Sequence, residues 1–185
     1  MIDLLKKAHD FAKIAHQGQT RKFTNEPYIS HAEKTAHILW EATKGQATHD
    51  EYAAAILHDV VEDTSISLDE IGRNFGGNVM GLVSELTTDK NKQISEGKKH
   101  YLARKINAMS ESALTIKLCD RLHNVMSLED KKVPDKFTIK YIIETHYILS
   151  HISRELTKTQ ENLTKKIENV LVFLKLNRNL TINNG

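Results

Sequence analysis

The stretch AAILHDVVEDT, residues 54–64, combines a hydrophobic helix pattern with a cluster of charges. Its apolar residues, together with Ala53, cover nearly the whole circumference of a helix, so the pattern predicts a helix that is mostly buried. The same stretch carries four ionisable residues, which are His58, Asp59, Glu62 and Asp63. Uncompensated carboxylates in a buried helix are costly or take up protons. We therefore expect a cation or a hydrogen-bond network beside them.

The spacing of these residues separates two roles. His58 lies four residues before Glu62, and the same spacing relates the two aspartates, so all four gather within one turn at the helix end. The adjacent imidazole and carboxylate of His58 and Asp59 suit neighbouring metal ligands. Glu62 and Asp63, one turn later, would lie near the metal and remain free for proton transfer.

Length and composition limit the fold class. The 185 residues most simply form one domain that is large enough to bury a core. Only eight glycines and two prolines are present, so we predict an all-α fold. Cys119 is the single cysteine, which fits a reducing compartment. Because no signal peptide is evident and no apolar run approaches the roughly 20 residues that span a bilayer, we expect a soluble, cytoplasmic protein with no membrane partner.

The net charge of +2 hides an asymmetry between the two halves of the chain. Residues 1–86 carry 8 Lys and Arg against 13 Asp and Glu, whereas residues 87–185 carry 18 against 11. An acidic half beside a basic half could hold a metal ion and an anionic ligand between them. Solvated helix faces are the alternative explanation of the same counts.

Hydrophobic periodicity predicts helices joined by short connections along the whole chain. The predicted helices cover about 2–16, 30–43, 49–63, a segment from 67, 78–87, a segment that begins before 101, 113–128, 135–156 and 163–176. Ser30 with Glu33, and Ser67 with Glu70, form predicted capping boxes.

Two segments have few apolar anchors. TTDKNKQISEGKKHY, residues 87–101, is polar and basic, which predicts a mobile loop that leads into a helix. The C-terminal residues 177–185 predict a frayed tail. We expect residues 1–176 to form one domain of about eight to ten helices.

A second metal-ligand candidate lies in KLCDRLHN, residues 117–124. Asp120 and Asn124 share one helix face, so Asp120 could complete a metal site while Asn124 binds a ligand. Asp120 could instead pair with Arg121 or Lys117 on a solvated surface. His31 is a further candidate ligand, although spacing alone does not separate it from His37 or His123.

Three stretches in this order resemble a known family. HQGQTRKFTNEPYISHA (16–32), AAILHDVVEDT (54–64) and IKLCDRLHN (116–124) are similar to the three hydrolase motifs of RelA/SpoT-type HD-domain proteins. The resemblance covers residues 1 to about 175 and implies an all-α HD-domain helical fold. It also implies a set of ligands for a single Mn²⁺, or another divalent metal, namely His31, His58, Asp59 and Asp120.

The same resemblance implies roles for other residues. Glu62 and Asp63 would serve catalysis. Contacts with a guanine nucleotide are implied for Arg21, Lys22 and Asn124. Ser127 stands where related enzymes often have Thr and would keep a hydroxyl near the base. Lys22 with one of Lys98 or Lys99 could neutralise a diphosphate.

The implied activity follows from the length of the chain. The family's long enzymes continue into synthetase and regulatory domains, for which 185 residues leave no room. The chain is therefore similar to the stand-alone small alarmone hydrolases, which remove the 3′-diphosphate of ppGpp and pppGpp in the stringent response. Cys119 stands where a small residue such as Ala is expected, which leaves open some sensitivity to oxidation.

Two other interpretations stay open. Another HD phosphohydrolase could act on nucleoside monophosphates, on deoxynucleotides or on the 2′-phosphate of NADPH. A non-enzymatic helical module could bind nucleic acid through the basic C-terminal half. Because few aromatic residues accompany those lysines and no nucleic-acid motif is present, we predict a small-molecule partner and no nucleic acid. The sequence leaves the oligomeric state open.

Overall fold

The computed structural model describes residues 2–181, most of which are helical. The helices are α1 (Ile2–Ala15), α2 (Ile29–Thr43), α3 (His49–Leu57), α4 (Val60–Asp63), α5 (Leu68–Phe75), α6 (Gly77–Leu86), α7 (Lys90–Glu96), α8 (Lys98–Ala108), α9 (Glu111–Met126), α10 (Asp135–Ser150) and α11 (Lys158–Asn177). A 3-10 turn, Ser127–Glu129, follows α9. Within residues 2–181, β-structure is limited to one isolated bridge between Thr20 and Pro27. The all-α prediction is confirmed.

Helix α9 lies at the centre of the fold. It packs against α2, α3, α6 and α11, and ten of its sixteen residues are buried. A helix that is surrounded on all sides needs apolar residues around most of its circumference. Its buried polar residues, including Asp120 and Arg121, therefore lie in the interior of the protein.

Among the described residues, every helix is too short or too polar to cross a lipid bilayer.

The predicted helix over 49–63 is interrupted in the structure. It divides into α3 and α4, with His58 and Asp59 in the turn between them. The ring nitrogen Nδ1 of His58 lies 2.8 Å from the carbonyl oxygen of Ala55, one turn earlier. Asp59 adopts φ −101° and ψ −5°, a bridge conformation that is frequent at active sites. The interruption therefore lies at the two residues that the sequence indicates as neighbouring metal ligands.

Residues 90–96 form α7, so the prediction of a mobile loop is wrong, whereas the predicted helix that begins before Tyr101 is confirmed as α8. Asp89 begins α7, because its side chain accepts hydrogen bonds from the backbone of Asn91 and Lys92. Helix α8 then starts at Lys98, directly after Gly97, whose φ is +80°. The sequence pattern misleads here because α7 has no buried residue and is specified by its cap.

Helix α2 starts one residue earlier than predicted and without the expected capping box. Its N-cap is Tyr28, with no side-chain cap bond. Glu33 instead lies 2.7 Å from Nε2 of His9 on the neighbouring helix α1. At α5, Ser67 does accept from the backbone of Glu70, as expected.

The C-terminal end of α11 is docked rather than frayed over its described part. Leu180 N donates to Lys175 O, and Asn179 N donates to Leu176 O. With Asn179 at φ +48°, these bonds form a Schellman turn, which returns the chain towards the core. Leu180 is consequently buried. Residues 182–185 of the predicted tail lie outside the described residues.

Candidate active site

The four predicted metal ligands come from separate parts of the chain and meet in the interior. Helix α2 carries His31, the α3–α4 turn carries His58 and Asp59, and α9 carries Asp120. The ligand atoms of His31, His58 and Asp120 all lie within 4.8 Å of one another. Asp59 Oδ2 lies 3.0 Å from His58 Nε2 and 3.5 Å from His31 Nε2. We call these four residues the ligand cluster.

The spacing within the ligand cluster fits one ion. The two Nε2 atoms of His31 and His58 lie 3.2 Å apart. Asp120 Oδ1 lies 3.2 Å from His31 Nε2 and 3.8 Å from His58 Nε2. Donor atoms held about 2.1 Å from a common centre are about 3 to 3.4 Å from their nearest neighbours. Two imidazole nitrogens and two carboxylate oxygens are also a donor set that suits a divalent transition metal.

The histidines of the cluster are held with Nε2 available for a metal. His58 donates from Nδ1 to the Ala55 carbonyl, which fixes the proton on that nitrogen. His31 Nδ1 lies 2.6 Å from Nδ1 of His123, and the two rings stack. Burial, followed by the charges of His31 and Arg21, lowers the pKa of His123 to about 3. Neutral His123 has one ring nitrogen without a proton, so it can accept the Nδ1 proton of His31.

Asp120 is held by a buried network rather than by a surface pair. Lys117 Nζ lies 2.7 Å from Asp120 Oδ2, and Asn124 Nδ2 lies 2.5 Å from Oδ1. Burial alone would raise the pKa of Asp120, but the charge of Lys117 and a hydrogen bond with His31 hold it well below its ordinary value. Burial would likewise lower the pKa of Lys117, and attraction to Asp120 raises it instead. Asp120 is consequently a carboxylate whose second oxygen is fixed.

Asn124 links the ligand cluster to the next cavity. The sequence suggested that its amide would bind a ligand. In the structure the amide nitrogen donates to Asp120, and the amide oxygen accepts from Arg21 NH2 at 2.9 Å. The guanidinium of Arg21 is thereby oriented at the edge of the cluster.

The acidic pair lies at the rim of the cluster and is held by different partners. Glu62 Oε2 accepts a hydrogen bond of 2.8 Å from the backbone of Thr88. Tyr28 donates to Asp59 Oδ2 at 2.6 Å and lies 3.2 Å from Asp63 Oδ2. Burial, then the charges of Asp59 and Glu62, raise the pKa of Asp63. A raised pKa makes a carboxylate a better proton acceptor near neutral pH.

A cavity of about 180 Å³ opens beside the cluster. Its lining includes both acidic residues and three cations from the other half of the chain, which are Lys98, Lys117 and Arg121. Lys98 and Arg121 each lie 3.2 Å from one carboxylate, Glu144, which neutralises only one of them. The charge asymmetry of the sequence therefore corresponds to the two sides of this cavity, which can receive a phosphate group next to the cluster.

A larger cavity of about 450 Å³ adjoins this region. It is lined by Thr20, Arg21, Lys22, Phe23, Thr24, Glu26, Tyr28, Asn124, Met126, Ser127, Leu128, Asp130, Val133, Phe137 and Tyr141. We call it the nucleotide pocket, because its volume and its aromatic and cationic lining suit a nucleoside. Four of the predicted substrate contacts, Arg21, Lys22, Asn124 and Ser127, lie in its walls.

The structure distinguishes the two remaining lysines. Lys98 lines the cavity beside the cluster. Lys99 lies over the Tyr147 ring at 4.6 Å, on another part of the surface.

Cys119 is buried, and burial followed by the charge of Asp120 raises the pKa of its thiol to about 12. That shift disfavours the reactive thiolate and argues against easy oxidation.

Sequence reasoning missed Tyr28 and Glu144, and it considered Lys117 only as a surface partner of Asp120 and His123 only as an alternative to His31. Tyr28, Lys117 and His123 each contact a predicted ligand directly. Lys117 and His123 flank Asp120 at three residues on either side, a helical spacing that could have indicated them. Glu144 comes from α10, and its role depends on tertiary contacts alone.

Comparison with known proteins agrees with this arrangement. The model of a family described as "HD domain" matches residues 8–148. The chain belongs to the HD domain family. The ligand cluster, both acidic residues and Asn124 all lie within the matched part of this HD domain protein.

Individual relatives narrow the resemblance. The chain is 32% identical over 179 residues to human guanosine-3′,5′-bis(diphosphate) 3′-pyrophosphohydrolase MESH1, covering 96% of each protein. It is 36% identical over 140 residues to the bifunctional (p)ppGpp synthase/hydrolase SpoT of Escherichia coli strain K12, of which it spans 19%. A solved structure described as a metazoan ortholog of SpoT that hydrolyzes ppGpp superposes with a TM-score of 0.79 and 26% identity, covering 96% of this chain and 97% of that one. The resemblance to RelA/SpoT-type HD-domain proteins is confirmed.

Proposed function

We propose that this HD domain protein hydrolyses the 3′-diphosphate of guanosine alarmones. The substrates would be ppGpp and pppGpp, and the products GDP or GTP and pyrophosphate. The observation that carries the proposal is the direct connection between the ligand cluster and the nucleotide pocket, through Asp120, Asn124 and Arg21. Relatives named for this reaction support the choice of substrate.

The proposed metal site uses His31, His58, Asp59 and Asp120. When bound there, a divalent ion supplies Lewis acidity towards a phosphoryl oxygen and lowers the pKa of water. We propose manganese as the ion. The contacts of Nδ1 in His31 with His123 and of Nδ1 in His58 with the Ala55 carbonyl leave both Nε2 atoms to bind that ion.

The remaining residues have roles in binding and proton transfer. Water adds to the phosphorus attached to O3′, the P–O3′ bond breaks, and O3′ takes up a proton. Asp63 and Glu62 would orient the water and accept its proton, a contribution of about 10² to 10⁴ in rate. Lys98 and Arg121 would bind the diphosphate, because the single carboxylate of Glu144 leaves them with positive charge.

The nucleoside would occupy the nucleotide pocket. Arg21 suits stacking on a base, because its guanidinium is planar and is already held by Asn124. Lys22 lies 5.3 Å from the ring centres of both Phe23 and Phe137, near the mouth of the pocket. Ser127 donates to the His123 carbonyl and presents its oxygen to the same cavity.

Product analysis tests the proposal. The protein loaded with Mn²⁺ is incubated with ppGpp, pppGpp, NADPH, nucleoside monophosphates and deoxynucleotides, and the released phosphate species are identified. We expect pyrophosphate from the alarmones, and no activity after complete chelation. Release of orthophosphate from NADPH alone would assign the protein to another class of HD phosphohydrolase. Salt-sensitive RNA binding without any hydrolysis would favour a nucleic-acid module.

The biological setting is part of the same proposal. We propose a cytoplasmic enzyme of the stringent response that acts on a small molecule, with no nucleic-acid or membrane partner. Elemental analysis of protein purified without added metal identifies the ion, and cell fractionation tests the location.

A further inference from the structure

Arg178 lies just beyond α11, in the segment that the sequence predicts to be frayed, and its side chain is only 14% exposed. The residue also lies beyond position 148, where the match to the HD domain family ends. The backbone of Arg178 donates to Leu174 O in α11, and the Schellman turn at Asn179 with the buried Leu180 fixes the backbone that follows. The backbone that carries the guanidinium is therefore fixed in place.

Among the described residues, every hydrogen-bond or ion-pair partner of the Arg178 guanidinium belongs to one segment, residues 128–138. NH1 donates to Leu128 O at 3.0 Å and to Thr138 Oγ1 at 2.8 Å. NH2 donates to Val133 O at 2.6 Å and lies 2.9 Å from the carboxylate of Asp135. A planar guanidinium can serve several acceptors at once, which an ammonium group cannot do with the same geometry.

This segment forms one wall of the nucleotide pocket. Ser127, Leu128, Asp130, Val133 and Phe137 all line the cavity. Between the buried side chains of Leu128 and Val133, residues 129–132 are at least partly exposed and have few apolar anchors. Their connection therefore depends on backbone hydrogen bonds, and Arg178 binds the carbonyl groups at both of its ends.

The position of this wall also affects the opposite wall. Phe137 meets the ring of Phe23 edge to face, with ring centres 4.9 Å apart. Phe23 belongs to the loop that carries Arg21 and Lys22, on the other side of the pocket. A shift of residues 128–138 would move Phe137 relative to Phe23 and so change the width of the pocket.

We propose that Arg178 is a positioning residue that holds residues 128–138 as a preformed wall of the nucleotide pocket and so sets the affinity for the nucleotide. The proposal rests on the proposed function for the identity of the ligand. Because the ligand cluster is built from α2, the α3–α4 turn and α9, Arg178 acts on binding and leaves the metal site intact.

The test compares Arg178→Ala and Arg178→Lys with a matched control, Arg154→Ala. Arg154 also donates to a backbone carbonyl, that of Met109, but contacts no residue of the nucleotide-pocket wall among residues 2–181. We expect Arg178→Ala to raise the KM for ppGpp and the Kd for GDP about tenfold, with kcat within about threefold and metal content unchanged. Arg178→Lys should retain most of the defect, because it keeps only the attraction to Asp135. Arg154→Ala should leave the KM for ppGpp and the Kd for GDP unchanged.

Hydrogen exchange on the nucleotide-free protein gives a second measurement. Arg178→Ala should speed exchange of the amides in residues 128–138, and Arg154→Ala should leave them unchanged. Unchanged KM, Kd and exchange in Arg178→Ala would overturn the proposal, as would an equal KM defect in the control. If the wild-type protein neither hydrolyses ppGpp nor binds GDP, the proposed function fails, and the exchange rates still decide whether Arg178 holds the wall.

Discussion

The ligand cluster and the nucleotide pocket are neighbours, but they are built in different ways. The side chains of His31 and His58 are 1% exposed, and Asp120 is 7% exposed, each attached to a helix or a helix end. The nucleotide pocket is lined by the loop at residues 20–28 and by the segment around 126–141, and it is open to solvent. Buried charges depend on every partner, whereas partly solvated contacts can be replaced by water. Damage to the cluster should therefore abolish function, and damage to the pocket should reduce it by degrees.

The largest effect is expected from loss of a proposed metal ligand. Asp120→Ala leaves the buried Lys117 without its partner and should lower the free energy of unfolding by about 3 to 5 kcal/mol. His58→Ala should also lower stability, because it removes the partner that lies 3.0 Å from Asp59 Oδ2. Both variants should lose bound metal and turnover. Elemental analysis and thermal unfolding check this, with the exposed Asp10→Ala as a control, and normal metal stoichiometry in either variant would show that the ligand assignment is wrong.

The next effect separates the rim from the cluster. Glu62→Gln and Asp63→Asn keep the size of the side chain but remove the proton acceptor. Each should retain metal and nucleotide binding while turnover falls by roughly 10² or more. Single-turnover hydrolysis, metal analysis and a nucleotide titration on the same preparations measure all three. Near-normal turnover in both variants would make the acidic pair structural, and lost metal would make that residue a ligand.

A smaller effect should follow from the residue behind His31. His123→Phe keeps a stacked ring but removes the acceptor for the Nδ1 proton, so metal affinity should fall about tenfold. The nitrogen chemical shifts of His31 in the metal-free protein should also show a mixture of tautomers. His37→Phe, on the exposed side of α2, serves as the control. An unchanged His31 spectrum in His123→Phe would remove His123 from the site.

The smallest effect concerns two adjacent lysines. Lys98→Ala should raise the KM for ppGpp several-fold, because its ammonium lines the cavity and shares Glu144 with Arg121. Lys99→Ala should have little effect, because that lysine lies over Tyr147. Steady-state kinetics at several salt concentrations compare the two. A larger defect in Lys99→Ala would reverse their assignment.

Local sequence was sufficient for most of the helices but not for their interruptions. Apolar periodicity indicates α1, α9 and α11, because each buries a long stripe of side chains. It misses the turn at His58, where the ring bonds to the Ala55 carbonyl. It also misses α7, which buries nothing and begins at the Asp89 cap. Hydrophobic periodicity indicates which residues are buried, so it does not reveal elements that depend on a single hydrogen bond.

The sequence by itself determined the helical class, the HD motif and the chemical types needed at the candidate site. It also indicated His58, Asp59, Glu62 and Asp63 as a group, because helical spacing makes them neighbours without any long-range contact. The tertiary structure decided which histidine lies beside them, because spacing does not separate His31 from His123 and only helix packing places Nε2 of His31 3.2 Å from that of His58. It likewise decided that Arg178 is docked against residues 128–138. Contacts between residues far apart in the chain depend on how helices pack, and a local sequence pattern does not predict that packing.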